Sequence, residues 1–175
     1  MAENKNRTTE TNKENIRRAK KSCWSGKSNE CCNNVNTLKM LNGIKSNALM
    51  AKRSTETVIE QVDNKKFADI LKEQVIKYDD FVRRADDLAQ QTGTLLNESG
   101  ALTQFFAKTN IKMKLMADNS TSKVAEMLIL GSTMGMIDLG KALRHTPDVN
   151  PATLQLAREL LAYEEDKIEA MKYHL

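Results

Sequence analysis

Apolar residues recur at helical spacing along most of this chain, and the pattern predicts four long helices. Over residues 35–62, Leu41, Ile44, Ala48, Ala51, Thr55, Val58, Ile59 and Val62 fall on one arc, the i, i+3, i+4, i+7 repeat of a half-buried helix. Asp63 and Asn64 then reverse the chain. Residues 65–91 repeat the pattern with Phe67, Ile70, Leu71, Val75, Tyr78, Phe81, Val82, Ala85 and Leu88, and Gly93 supplies a stop. So short a link makes these two helices antiparallel neighbours. After a loop at 94–100, residues 101–117 form a weaker amphipathic segment. Leu102, Phe105, Phe106, Met113 and Met116 stand on one side of it and Lys108, Lys112 and Lys114 on the other. We read it as an extra helical segment, a lid or a contact to a second copy rather than a helix lying on a membrane. Asp118 to Thr121 are capping residues. A fresh helix beginning there and a single kinked helix through 101–145 fit the sequence equally.

The stretch 123–144 is the centre of the pattern. Val124, Met127, Leu128, Gly131, Met134, Gly135 and Ala142 line one face, and Ile129, Leu130, Met136, Ile137 and Leu143 cover much of the other. A helix apolar nearly all round is expected to be surrounded by partners. Gly131 and Gly135 at i, i+4 suggest close approach by another backbone. The stretch ends near His145-Thr146-Pro147, and Asn150-Pro151 reads as an N-cap followed by proline at the first helical position. The last helix turns Leu154, Ala157, Leu160, Leu161, Ile168 and Met171 inward. The expected fold is an all-α, antiparallel four-helix bundle over residues 34–175. Because one bundle rarely covers every side of a helix, a homo-oligomer, with a dimer as first choice, is expected as well.

Composition changes this picture mainly at the N-terminus. The formal charge of +4 divides unevenly: residues 1–33 carry eight Lys and Arg against four acidic residues, and the remainder carries nineteen of each. The bundle therefore offers no general field for nucleic acid, and residues 1–33 read as a disordered basic tail. Cys23, Cys31, Cys32 and Trp24 all lie in that tail. Three cysteines without a neighbouring histidine fit reduced thiols better than a structural zinc site. The longest uncharged apolar run, residues 127–137, is too short to span a bilayer. No charged region leads into an apolar stretch at the start of the chain, so a cytoplasmic protein is expected.

Candidate chemistry is sought where a polar side chain interrupts an apolar arc. Projection gives Thr55, Gln74, Tyr78, Asp138 and Glu164. A carboxylate left alone in a core is costly or neutralises itself, so these residues predict a buried polar network; Asp138 has a simpler option in Lys141. Di-iron bundles use glutamates and two Glu-x-x-His pairs. Neither pair is present: Glu73 and Glu164 have no histidine three residues on, and the only histidines are His145 and His174. No cofactor is expected. The alternative is a non-standard carboxylate site for iron or manganese drawing on Glu164, Asp138, Glu126 or Glu56, although Glu126 points about 120° away from Asp138. Gly-rich phosphate loops, GxSxG and CxxC are absent from the sequence.

The stretch AEMLILGSTMGMIDLGKAL, with the preceding KMKLMADNSTSKV, resembles a family of small proteins from anaerobic Gram-positive bacteria that look like ferritin-like four-helix bundles. The likeness runs from about residue 36 to 175 and is most specific at Gly131-Ser132-Thr133-Met134-Gly135 and Ile111-Lys112-Met113. It implies a ferritin-like bundle but carries over no catalytic residue. The expected function is a non-catalytic bundle acting by self-association or as an interaction module, in a stress- or spore-related setting.

Overall fold

The computed structural model describes residues 28–96 and 120–175. Four α-helices account for nearly all of them: α1 (Ser28–Ile59), α2 (Lys65–Gln91), α3 (Thr121–His145) and α4 (Pro151–Lys172). The expected all-α four-helix bundle is what the chain forms. The amphipathic segment expected at 101–117, and most of the basic tail, lie outside the described residues. α1 begins at Ser28, ahead of the expected start at residue 35.

Helix boundaries follow local chemistry. The Asn64 side chain accepts a hydrogen bond from the Phe67 amide, and Ser120 accepts one from Lys123, each satisfying a donor that a helix start leaves unpaired. Asn150 caps α4 by accepting from the Ala152 amide, with Pro151 in the first turn as its spacing predicts. α2 stops at Thr92 and at Gly93, whose φ of 72° suits glycine. In the α3–α4 link Asp148 takes a left-handed φ of 53°, which a short polar side chain tolerates. That link is tied to α1: the Asn150 amide donates to the Thr37 hydroxyl at 2.9 Å and the Asn36 amide group donates to the Pro147 carbonyl at 2.8 Å.

Side-chain pairs fix the directions. Lys45–Asp86 and Lys52–Asp79 run in opposite senses along α1 and α2. Arg84–Glu159 and Tyr78–Glu164 do the same for α2 and α4, and Asn36–Pro147 and Asn47–Gly135 for α1 and α3. α3 and α4 pack as a second hairpin, with Leu139 near Leu156 at one end and Val124 near Met171 at the other. Around the bundle the order is therefore α1, α2, α4, α3, every neighbour antiparallel. α2 and α3 stand on a diagonal and run parallel, so α2 ends at one end of the bundle and α3 starts at the other. This is why the connection between them is the long one.

The core comes in two parts. One packs Met40, Leu41, Ile44, Tyr78, Phe81, Leu139, Leu156 and Leu160. The other packs Val58, Phe67, Leu71, Val124, Leu128 and Met171 near the opposite end. Between them, at the waist, every helix contributes a buried polar residue: Thr55, Gln74, Ser132, and Glu164 with Lys167.

The central helix departs from expectation. α3 buries Val124, Ala125, Leu128, Ser132 and Leu139, but Leu130 is 62% exposed, Met134 51% and Ile137 49%. Its apolar residues outnumber the positions that three neighbouring helices can cover. The glycines differ too. Nothing lies within 4 Å of a Cβ built at Gly131, and what approaches Gly135 is a side chain rather than a backbone: the Asn47 amide group donates to the Gly135 carbonyl at 2.7 Å.

Candidate functional site: a waist cluster beneath an open cavity

Glu164 lies on the inner stripe of α4 only because Leu156, Ala157, Leu160 and Met171 bury that face. Its carboxylate, 1% exposed, cannot reach water, so its partners must come from the bundle. The Tyr78 hydroxyl on α2 donates to Glu164 Oε1 at 2.7 Å. One turn along α4, Lys167 Nζ lies 3.2 Å from Glu164 Oε2 and also donates to the Tyr78 oxygen. The Lys167–Oε2 contact is an ion pair that lacks hydrogen-bond geometry, so Oε2 has no hydrogen bond within the protein. The same ammonium sits 4.9 Å from the centre of the Tyr78 ring, and Tyr163 packs edge-on against that ring at 5.4 Å.

Burial dominates the electrostatics. It pushes the Tyr78 phenol well above its ordinary pKa, and the Glu164 carboxylate beside it adds to the rise. Tyr163 is raised for the same two reasons in the same order. Burial lowers the Lys167 pKa, with Glu164 pulling it back up. Ser132 on α3 stands next to the Tyr78 phenol and slightly counteracts its rise. Its own hydroxyl nevertheless makes no hydrogen bond of normal geometry.

Above this cluster a cavity of about 140 Å³ lies between α1 and α3. Small residues face one another there: Ala51 and Ser54 from α1, Gly131, Ser132 and Gly135 from α3. Where these small residues meet, no side chains interlock and the two helices leave space between them. Met50, Val58, Met127 and Leu128 make the walls apolar, Leu130 and Met134 stand at the exposed rim, and Glu164 and Lys167 close the inner end.

Sequence projection placed five residues in one network, and the structure redistributes them. Tyr78 and Glu164 do meet. Thr55 is buried but donates to the Ala51 carbonyl of its own helix at 2.9 Å. Gln74 is buried one turn from Tyr78, with its Nε2 4.0 Å from Met171 Sδ and its Oε1 unpaired. Asp138 does not belong to the interior; it is exposed, because α3 turns Leu139 rather than Asp138 into the core. The metal candidates are scattered likewise. Glu56 and Glu126 are exposed, with Lys52 at 3.9 Å and Lys123 at 2.6 Å respectively. Among the described residues no three His, Cys, Asp or Glu side chains converge as a metal site would need.

Lys167 and Ser132 were not singled out by sequence. Lys167 had a readable signal: a buried glutamate needs a cation, and a lysine three residues on along the same helix is the nearest candidate. Ser132 had none, since a serine between glycine and threonine on an apolar helix reads as filler. The fold and the site together define a four-helix bundle with a paired, fully buried charge at its waist and an apolar cavity beside it. No protein-family model, no curated protein and no solved structure matches the chain. Among the described residues no helix is long and apolar enough to cross a membrane.

Proposed function

We propose that this chain is a ferritin-like bundle without catalytic activity that works in the bacterial cytoplasm by self-association, in a stress- or spore-related setting. The observation that carries the self-association is the exposed seam of α3. Leu130, Thr133 or Met134, and Ile137 repeat at intervals of three and four residues, the spacing of a coiled-coil interface. The seam also matches itself. If two copies pair antiparallel about a point between Thr133 and Met134, Leu130 stands opposite Ile137 of the partner subunit. Glu126 then stands opposite Lys141 of the partner subunit. Opposite charges thus flank an uncharged centre, which is the self-complementarity a two-fold dimer requires. The ferritin-like reading is supported by the single long connection between the parallel helices α2 and α3 and by the sequence resemblance. The setting rests on that resemblance alone.

Light scattering on the purified full chain tests the reading. The expected result is a particle of twice the 19.7 kDa chain mass for the native protein and a monomer for Ile137→Glu. A monodisperse native monomer refutes it.

A further inference from the structure

The cavity between α1 and α3 shares Leu130 and Met134 with the seam just proposed for self-association, so whatever covers the seam also bounds the cavity. Its α3 wall runs from Met127 to Gly135, on the flank of the helix that faces Asn47, Met50, Ala51 and Ser54 of α1. Two antiparallel helices paired side by side exchange places by a half-turn about an axis normal to the plane that holds them. That operation keeps the α1 flank of both copies on one side of the pair. It also sets positions 132–135 beside the same positions of the second copy in reverse order. The two cavities therefore open on the same side of the pair and overlap along it, with Met134 of each copy between their mouths.

We propose that association joins the two cavities into one apolar chamber, which binds one elongated, uncharged, apolar molecule per dimer. The site rests on the self-association proposed above, because a single chain supplies only half of it. Size follows from the volume. One cavity of about 140 Å³ holds little more than a benzene, which fits a cavity of roughly 150 Å³. Two of them joined approach the ~300 Å³ at which ligand pockets for larger molecules begin. The apolar character follows from the Met50, Val58, Met127 and Leu128 walls. The polar groups at the inner end are engaged within the bundle, Glu164 by Tyr78 and Lys167, and Ser132 beside the Tyr78 phenol, so the ligand needs no hydrogen-bonding group. Glu164 and Lys167 also offset one another, so a charged ligand would find no counter-charge to repay its loss of water. Elongation follows from the two mouths, which one molecule must bridge. Met134, unbranched and 51% exposed, is able to fold aside and lie along it.

Diphenylhexatriene, an uncharged rod-shaped dye that fluoresces in apolar surroundings, is the probe, titrated into the full chain while light scattering reports the mass. The native dimer is expected to bind one dye per two chains. Gly131→Leu fills the cavity from α3, where a side chain meets open space, and Ser54→Leu fills it from α1. Neither touches the seam, so both variants stay dimeric while the dye binds roughly tenfold more weakly or not at all. Ile137→Glu, outside the cavity lining, is expected to be monomeric and to lose the dye. A native dimer that binds no dye overturns the chamber and leaves self-association standing. One dye per chain, binding that survives in the Ile137→Glu monomer, or binding indifferent to both filling variants also overturns it. A native monomer refutes self-association itself and the chamber with it.

Discussion

Replacing Lys167 by methionine keeps most of the side-chain volume and removes the cation from Glu164. The two groups are 3.2 Å apart and only 5% and 1% exposed, so solvent does little to screen them. At an effective dielectric of ~20 their attraction is about 5 kcal/mol, and breaking a buried pair from one side costs about 3–5 kcal/mol. For a protein of this size each kcal/mol shifts Tm by ~2–4 °C, so Lys167→Met should melt roughly 6–20 °C below the native chain. The loss should be largely reversible by further substitution. In Lys167→Met/Glu164→Met no charge is stranded, and the residual penalty is the Tyr78 hydroxyl, about 1–3 kcal/mol when its partners are gone. Adding Tyr78→Phe should restore stability to about that of the native protein or above it. Urea melts of the four proteins, followed by helical circular dichroism, supply the comparison. A Lys167→Met variant within about 1 kcal/mol of the native chain would refute the reasoning, and so would a triple variant less stable than the single one.

Other expectations follow from the same structure. Gly131→Ala should stabilise by about 0.5–1 kcal/mol, since its Cβ meets nothing and helix propensity improves. Gly135→Ala should gain nothing in the same melts. Its Cβ would lie 2.7 Å from the Asn47 amide oxygen and would force out the side chain that bonds the Gly135 carbonyl. Glu126→Lys should weaken the dimer and the added Lys141→Glu should restore it, each by at most about 1 kcal/mol because the pair is at the surface; sedimentation equilibrium measures both. Alkaline pH should unfold the protein with a distinct signature. Tyr78 and Tyr163 have raised pKa values, so the stability they supply is complete below the unfolded value of about 10 and is lost as pH climbs toward their folded values. Lys167, lowered by burial, acts the other way as the unfolded lysine loses its proton. The lysine's contribution is complete once the unfolded lysine has lost its proton, at about pH 10.4, so above that pH only the tyrosines act and stability falls. The phenolate absorbance of Tyr78 and Tyr163 should therefore rise together with the loss of helix, and a rise well before it would contradict their burial.

Much of the fold was legible because helix formation is local. Ser120 and Asn150-Pro151 announce helix starts through their own hydrogen-bonding groups, and the structure finds caps at both; Asn64, which the sequence marks only as a turn, caps α2 as well. The α2 stripe of Phe67, Leu71, Tyr78, Phe81 and Ala85 is buried as its period predicts, because charged residues leave only one face to bury. Where the alternatives were all apolar, projection failed. On α3 it could not choose between Leu130 and Leu128, and on α4 it turned Ile168 inward where Lys167 goes, with Ile168 left half-buried.

What the sequence determines by itself is therefore that there are four long helices, with caps at Ser120 and Asn150, together with the presence of Tyr78 and Glu164 on inner faces. Periodicity and caps depend on residues within a few positions of each other, and those are fixed along the chain. The tertiary structure decides the rest: that α2 and α4 come together so that Tyr78 reaches Glu164, that Lys167 completes the pair, and that Asp138 stays outside. It also decides that α1 and α3 meet through small residues and leave a cavity. These outcomes depend on the rotation of each helix about its axis and on which neighbours it has. Both are set by packing all four helices at once, and a pattern read one helix at a time carries no information about them.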